Sequence, residues 1–110
     1  MNMHDIQPLT AAQTDNLPDI DYHNIKKAAI VLRALNHGLR QQIIKTIHDN
    51  KGLTVTQLYV KLRLEQSVAS QHLAILRKAG IVTTEREGKN IFYTINPLRV
   101  KEINEYVKNL

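Results

Sequence analysis

The sequence predicts a mainly helical α+β domain of about five helices and one two-stranded β-hairpin. Three observations lead to this expectation. Apolar residues recur at helical spacing along most of the 110-residue chain. Two short helical stretches follow one another with only a few residues between them. Two β-rich segments then flank a polar stretch that contains a glycine. A chain of this length has room for one modest core, so we expect one folded domain.

The beginning of the chain differs in composition from the rest. Residues 1–18 are polar, contain two prolines and show no sustained period, which predicts a flexible acidic and polar tail before a folded domain at 19–110. Residues 1–24 carry four aspartates and no Lys or Arg, whereas the remainder holds all 15 Lys and Arg against six acids. A body this basic suggests a polyanion partner, with nucleic acid the first candidate. Charge alone leaves a merely soluble basic protein as an equal alternative.

Several function classes lack support in the sequence. The absence of cysteine excludes a disulfide framework and a thiolate metal site. The longest apolar run, residues 28–32, is far too short to cross a membrane, so we expect a soluble cytoplasmic protein without a membrane partner. The five histidines form no i, i+4 pair, so we predict no metal site and no cofactor, although a pairing across a dimer stays open. No catalytic constellation is recognisable, and we expect no enzyme activity.

The first and last helices predict a dimer. The first begins near Ile20 and is apolar around most of its circumference, which a domain this small can scarcely cover alone. The last begins at Pro97 and also lacks enough partners within one chain. We therefore assign both helices to a dimer interface. Its predicted residues are Ile25, Ala29, Leu32, Ile103, Tyr106, Val107 and Leu110.

A second helix is expected from about Gly38 to Asn50. Its apolar positions are predicted to face inward, and its polar positions, Arg40 among them, to face solvent. Thr54 and Gln57 then form the S/T-x-x-E/Q pattern of a capping box, which starts a short third helix.

The fourth helix follows after residues 63–66. Its buried stripe is Ala69, Leu73 and Leu76, and Gly80 is placed for the left-handed end of the helix. The third and fourth helices together have the pattern of a helix-turn-helix. The β-rich segments 81–84 and 91–95 around Gly88 then predict a basic-tipped hairpin, a wing.

Residues 32–95 resemble the ArsR-type winged helix-turn-helix repressors of bacteria. The most specific part is SQHLAILRKAGIV, followed after a few residues by REGKNIFYTI. The resemblance implies a homodimeric DNA-binding repressor whose first and last helices build the dimer. The metal sites of the family do not carry over. Thr54 and Thr56 stand at the two cysteines of its L-C-V-C-D-L motif, and Pro97 and Arg99 stand where its C-terminal helix has Asp and His.

The polar side of the fourth helix is the predicted DNA-reading face. On a helical wheel it lies opposite the buried stripe, and glutamine there can donate to and accept from an adenine edge. Basic residues at the wing tip can neutralise phosphates. A solvated helix face and a charged turn that only keeps the hairpin soluble are the plainer alternatives. The predicted DNA-binding residues are Gln66, Ser67, Ser70, Gln71, Lys78, Arg86 and Lys89.

The function that these predictions favour is a sequence-specific transcriptional regulator. We expect a repressor that binds a pseudo-palindromic operator in double-stranded DNA as a homodimer. The alternative from another class is a winged-helix module that binds a protein partner, with the carboxylate of Glu65 and the acidic tail discouraging DNA. The sequence assigns neither the operator nor an inducer.

Overall fold

The computed structural model describes residues 18–110, and its elements confirm the predicted winged helix-turn-helix. Apart from Pro18, the predicted tail at 1–18 lies outside the described residues. The five helices and two strands follow in the predicted order: α1 (Tyr22–Leu35), α2 (Gly38–Asp49), α3 (Val55–Leu62), α4 (Gln66–Lys78), β1 (Val82–Glu87), β2 (Asn90–Ile95) and α5 (Pro97–Lys108).

Side-chain caps mark where most of the helices begin. Asp21 accepts a hydrogen bond from the backbone N–H of Asn24 at the start of α1. Asn96 caps α5 in the same way, one residue before Pro97. At α2 the cap is His37, whose Nδ1 accepts from the N–H of Arg40 at 3.4 Å. Each cap satisfies one of the donors that have no partner within the first turn of a helix.

The helix-turn-helix is built by two local motifs. The capping box at α3 is confirmed, because the Thr54 hydroxyl accepts from the Gln57 N–H and the Gln57 amide oxygen accepts from the Thr54 N–H. At the other end of α3, Arg63 adopts the left-handed conformation with φ 55°. The N–H of Leu64 then donates to the carbonyl of Tyr59, which closes a tight turn. The turn has three residues, since α4 already begins at Gln66.

The wing extends further than the sequence indicated. β1 and β2 pair antiparallel from Val82 opposite Ile95 to Glu87 opposite Asn90, so only Gly88 and Lys89 form the loop. The predicted strands, 81–84 and 91–95, therefore stop too early on the side of the turn. The polar residues of the expected turn continue the ladder because a hairpin tip in solvent needs no apolar side chains to form backbone hydrogen bonds. Gly88 has φ 61°, as the first position of a two-residue II′ loop requires.

The core lies where α2, α3 and α4 meet the base of the wing. Ala69, Leu73 and Leu76 are buried, as the stripe on α4 predicted. Burying a leucine side chain such as that of Leu73 or Leu76 contributes about 1.5–3 kcal/mol. The largest fully buried side chains are Ile43, Ile47, Leu58, Leu73, Leu76, Ile81 and Val82.

One predicted orientation is wrong. Arg40 was expected to face solvent from α2, yet it is 8% exposed and its guanidinium lies against the end of α1. Its donors are satisfied there by two backbone carbonyls and a histidine, which offsets the cost of burying the charge.

None of the helices formed by residues 18–110 has both the length and the apolarity that a membrane crossing requires.

Candidate nucleic-acid interface

The helix α4 has one buried side and one free side. Ala69, Leu73 and Leu76 hold it on the core, and the residues on the opposite side are exposed. Its N-cap residue, Glu65, makes no side-chain hydrogen bond to the helix. At the other end Gly80 has φ 77°, and the N–H of Ile81 donates to the Leu76 carbonyl. The chain therefore leaves α4 directly into β1, which fixes the wing beside the helix.

All seven side chains that the sequence selected for DNA contact are exposed. Five of them lie on α4 and two at the far end of the wing. Their exposure leaves them free to contact a ligand, and their binding to DNA stays a prediction. These residues are Gln66, Ser67, Ser70, Gln71, Lys78, Arg86 and Lys89.

A groove between α4 and the wing is lined in part by Arg77 and Tyr93, which are not among the seven predicted DNA-binding residues. Ser70, Ala74 and Lys78 line it on α4, together with Arg77 and with Tyr93 of β2. Arg77 follows Ser70 by seven positions, which is close to two helical turns, so the two residues share one face of α4. Tyr93 is half-buried against the core and also forms one wall of this groove.

The wing separates its charges between its two faces. Arg86 pairs with Ile91 and alternates onto the same face as Tyr93, the face that meets the groove along α4. Glu85 and Glu87 alternate onto the other face. The side of the wing next to α4 therefore presents a cation, and the side away from it presents two acids.

Lys89 in the wing loop lines a second cleft. The opposite wall of that cleft is the first turn of α3, including the exposed Thr56 and Gln57. A cation beside a helix N-terminus gives a locally positive surface, because the first backbone N–H groups of a helix point outward.

The predicted dimer residues divide into two groups. Leu32 of α1 and Ile103 and Tyr106 of α5 come together in an open groove of about 220 Å³. The remaining predicted residues do not line this groove and are exposed in the single chain. They are Ile25, Ala29, Val107 and Leu110.

His72 is the titratable group on α4 whose surroundings alter its acidity. Its Nδ1 lies 3.3 Å from Nη1 of Arg40, and its ring centroid lies 5.0 Å from that of His37. Burial is the largest effect and lowers the pKa of His72 below 6.5, and the nearby His37 and Arg40 lower it further. The neutral ring is therefore favoured. Among residues 18–110, no three His, Asp or Glu side chains are grouped closely enough to hold a metal ion.

A helix-turn-helix followed directly by a hairpin, with exposed polar and basic side chains along both, defines a winged helix-turn-helix protein. Residues 37–84 match the family model described as bacterial regulatory protein, arsR family. The chain belongs to this family, because its similarity to named members also extends well beyond the matched segment.

Two relatives show how far the similarity reaches. The chain is 39% identical over 95 residues to the transcriptional activator HlyU of Vibrio cholerae serotype O1, covering 86% of each protein. It is 34% identical over 84 residues to the transcriptional repressor PagR of Bacillus anthracis, covering 76% of this chain and 84% of PagR. Both relatives are named as regulators of transcription.

Two solved structures are also similar to this chain over most of its length. The crystal structure of PagR superposes with a TM-score of 0.64 at 32% identity and covers 79% of this chain and 99% of PagR. The homodimeric winged helix-turn-helix DNA-binding domain of Mb0332 from Mycobacterium bovis superposes with a TM-score of 0.70 at 25% identity. That match covers 84% of this chain and 85% of the Mb0332 domain.

Proposed function

We propose that the protein is a DNA-binding transcriptional repressor that acts as a homodimer on a pseudo-palindromic operator. In this proposal α4 enters the major groove and the wing contacts the neighbouring backbone or minor groove. Gln66 and Gln71 read base edges, Ser67 and Ser70 contact bases or phosphates, and repression follows because an occupied operator hinders RNA polymerase.

The observation that carries the proposal is the agreement of charge and shape along one surface. Lys78 and Arg77 lie at the end of α4, and Arg86 lies on the wing face that meets the same groove. Ala74, at the middle of this surface, is small and exposed, so the helix backbone can come close to a base edge. The acids of the wing are on its other side, where they do not oppose the phosphates.

The dimer is supported by the α1–α5 groove and by one solved relative. Tyr106 lines this groove and is 51% exposed in the single chain, and Ile25, on α1 outside the groove, is 53% exposed. The Mb0332 domain of the same architecture is homodimeric. A symmetric dimer places two recognition helices in successive major grooves, with half-site centres roughly 34 Å apart.

The test is the salt dependence of binding to a duplex selected by the protein from a random-sequence library. Each neutralised phosphate releases counterions, so about six contacts per dimer predict a loss of roughly 10³-fold in affinity between about 50 and 200 mM salt. Fluorescence anisotropy measures this loss. Failure to select any duplex, or an affinity that does not respond to salt, would contradict the proposal.

A further inference from the structure

A buried guanidinium joins the end of α1 to the recognition helix α4. The Nε of Arg40 donates to the carbonyl of Ala34 at 2.7 Å, and its Nη2 donates to the carbonyl of Arg33 at 3.1 Å. Its Nη1 lies 3.3 Å from Nδ1 of His72 on α4. One side chain of α2 therefore contacts both neighbouring helices.

The contact with α1 completes the end of that helix. The last four carbonyls of a helix have no partner within it. Donors that directly follow α1, and Gln41, serve the carbonyls of Leu32 and Leu35. The Arg40 side chain serves those of Arg33 and Ala34. A cation at this position also complements the negative end of the helix dipole.

The contact with α4 specifies the state of the histidine. A guanidinium has donors and no acceptor, so Nδ1 of His72 must accept the hydrogen bond. The His72 ring is therefore neutral with its proton on Nε2. A protonated ring would have no acceptor and would place a second cation against Arg40.

We propose that Arg40 is a positioning residue for DNA recognition, which acts through the neutral His72 ring. This inference rests on the proposed function. Arg40 holds α4 at a fixed position relative to α1, the helix that carries one side of the predicted dimer interface. Through the dimer it fixes the separation of the two recognition helices.

The separation of the two recognition helices affects binding to the operator strongly and non-specific binding to DNA only weakly. Both half-sites of an operator are read together only when the two helices match their spacing along the duplex. Contacts to phosphates alone carry no sequence information and tolerate a shift along the backbone. Loss of the Arg40–His72 contact therefore lowers the preference for the operator more than it lowers affinity for DNA in general.

The same contact makes recognition sensitive to acid. Two titratable or charged groups act on the His72 ring, His37 from the turn before α2 and Arg40 from α2. Burial, followed by these two neighbours, lowers the pKa of His72, so the contact persists at neutral pH and is lost as the pH falls below 6.5 and through the lowered value.

The experiment measures discrimination rather than affinity alone. Anisotropy titrations compare the duplex selected by the wild-type protein with a scrambled duplex of equal length, at about pH 7.5 and about pH 5.5. His72→Leu removes the acceptor. His72→Asn keeps an acceptor near the position of Nδ1 and does not titrate. His48→Asn, at an exposed histidine of α2, is the matched control.

We expect His72→Leu to lose roughly tenfold in the ratio of the two affinities at neutral pH, with little change for the scrambled duplex. His72→Asn keeps the ratio within about threefold and no longer loses it in acid, while His48→Asn behaves as wild type. Should circular dichroism show that His72→Leu is unfolded, Arg40→Lys takes its place, because a single ammonium cannot reach all three acceptors.

A wild-type ratio in the folded His72→Leu variant, or in Arg40→Lys where it is used, overturns the inference. Acid sensitivity that persists in His72→Asn does so as well. A wild-type protein that does not distinguish the two duplexes overturns the proposed function and this inference with it. Discrimination that is intact in wild type and unchanged in the variants overturns this inference alone.

Discussion

Leu53 and Tyr93 exchange two backbone hydrogen bonds, 2.7 Å from the Tyr93 N–H to the Leu53 carbonyl and 3.1 Å from the Leu53 N–H to the Tyr93 carbonyl. This isolated bridge joins the residue before the capping box to the middle of β2. The wing is therefore attached to the helix-turn-helix at both of its strands, through this bridge at β2 and through the chain at β1. These two attachments hold the base and middle of the wing, which carries Arg86 and Lys89 toward its tip.

The glycine before the bridge is required by its conformation. Gly52 has φ +113°, and an added Cβ would lie 3.1 Å from Cγ2 of Thr94. We expect Gly52→Ala to lower the free energy of unfolding by roughly 1–2 kcal/mol. Urea denaturation measures the change. Gly38→Ala is the control, because Gly38 has ordinary φ and no atom within 4 Å of the added Cβ; an equal loss in both variants would contradict this account.

The capping box should contribute measurably to stability. Thr54→Ala removes the hydroxyl that accepts from the Gln57 N–H, so we expect a loss of about 1 kcal/mol in the free energy of unfolding. Thr54→Ser keeps the acceptor and should retain most of the stability. Thr56→Ala, at an exposed neighbour within α3, serves as the control in the same denaturation series. If Thr54→Ala and Thr56→Ala unfold at the same urea concentration, the cap contributes nothing.

Base reading and phosphate contact should separate in mutants. Gln71→Ala is expected to weaken binding to the selected duplex by about 1–3 kcal/mol and to leave the scrambled duplex nearly unaffected. Arg86→Ala is expected to weaken both duplexes alike and to reduce the slope of log affinity against log salt by about 1 for each protomer. Lys101→Ala, on the exposed side of α5, is the control. The assignment is wrong if Gln71→Ala weakens both duplexes equally.

The dimer prediction can be tested without DNA. Ile25 is half exposed in the single chain, so a charge there should leave the protomer folded and prevent a second copy from covering α1. We expect Ile25→Glu to shift the sedimentation equilibrium mass from dimer to monomer at micromolar concentration. Lys26→Glu changes charge at the next position, which the predicted interface excludes, and should stay dimeric. A dimeric, folded Ile25→Glu protein would show that α1 is not at the interface.

Stability should decrease in acid because of His72. Its folded pKa is lowered from 6.5, so between the two values the unfolded chain binds more protons than the folded chain. The contribution is constant above pH 6.5, falls as the pH drops through this window and stops changing below the folded pKa. Thermal melts of wild type and His72→Asn across this range measure the effect. The difference in melting temperature between the two proteins should be constant above the window and should change within it; a difference that stays constant over the whole pH range would contradict the assignment.

The parts of the fold that follow local rules were predictable. The capping box, the left-handed Gly80 and the stripe on α4 each depend on residues a few positions apart, and the structure has them where the spacing placed them. The order of helices and wing was therefore predicted correctly from the sequence.

The parts that depend on distant contacts were not predictable. Arg40 has the charge of a surface residue, and its burial requires carbonyls at the end of α1 and a histidine 32 positions away. Arg63 adopts a left-handed conformation that the residue type disfavours, because the turn into α4 requires it. The base contacts and the dimer interface involve molecules outside the chain, so for both the sequence supports only predictions.

The most direct test of the central claim is a hydroxyl-radical footprint on the selected duplex. A dimer with one recognition helix in each of two successive major grooves should protect two patches on one face of the duplex, with centres roughly 34 Å apart. Ile25→Glu should lose both patches at the protein concentration that protects them in wild type. A single protected patch, or two patches on opposite faces of the duplex, would contradict the account.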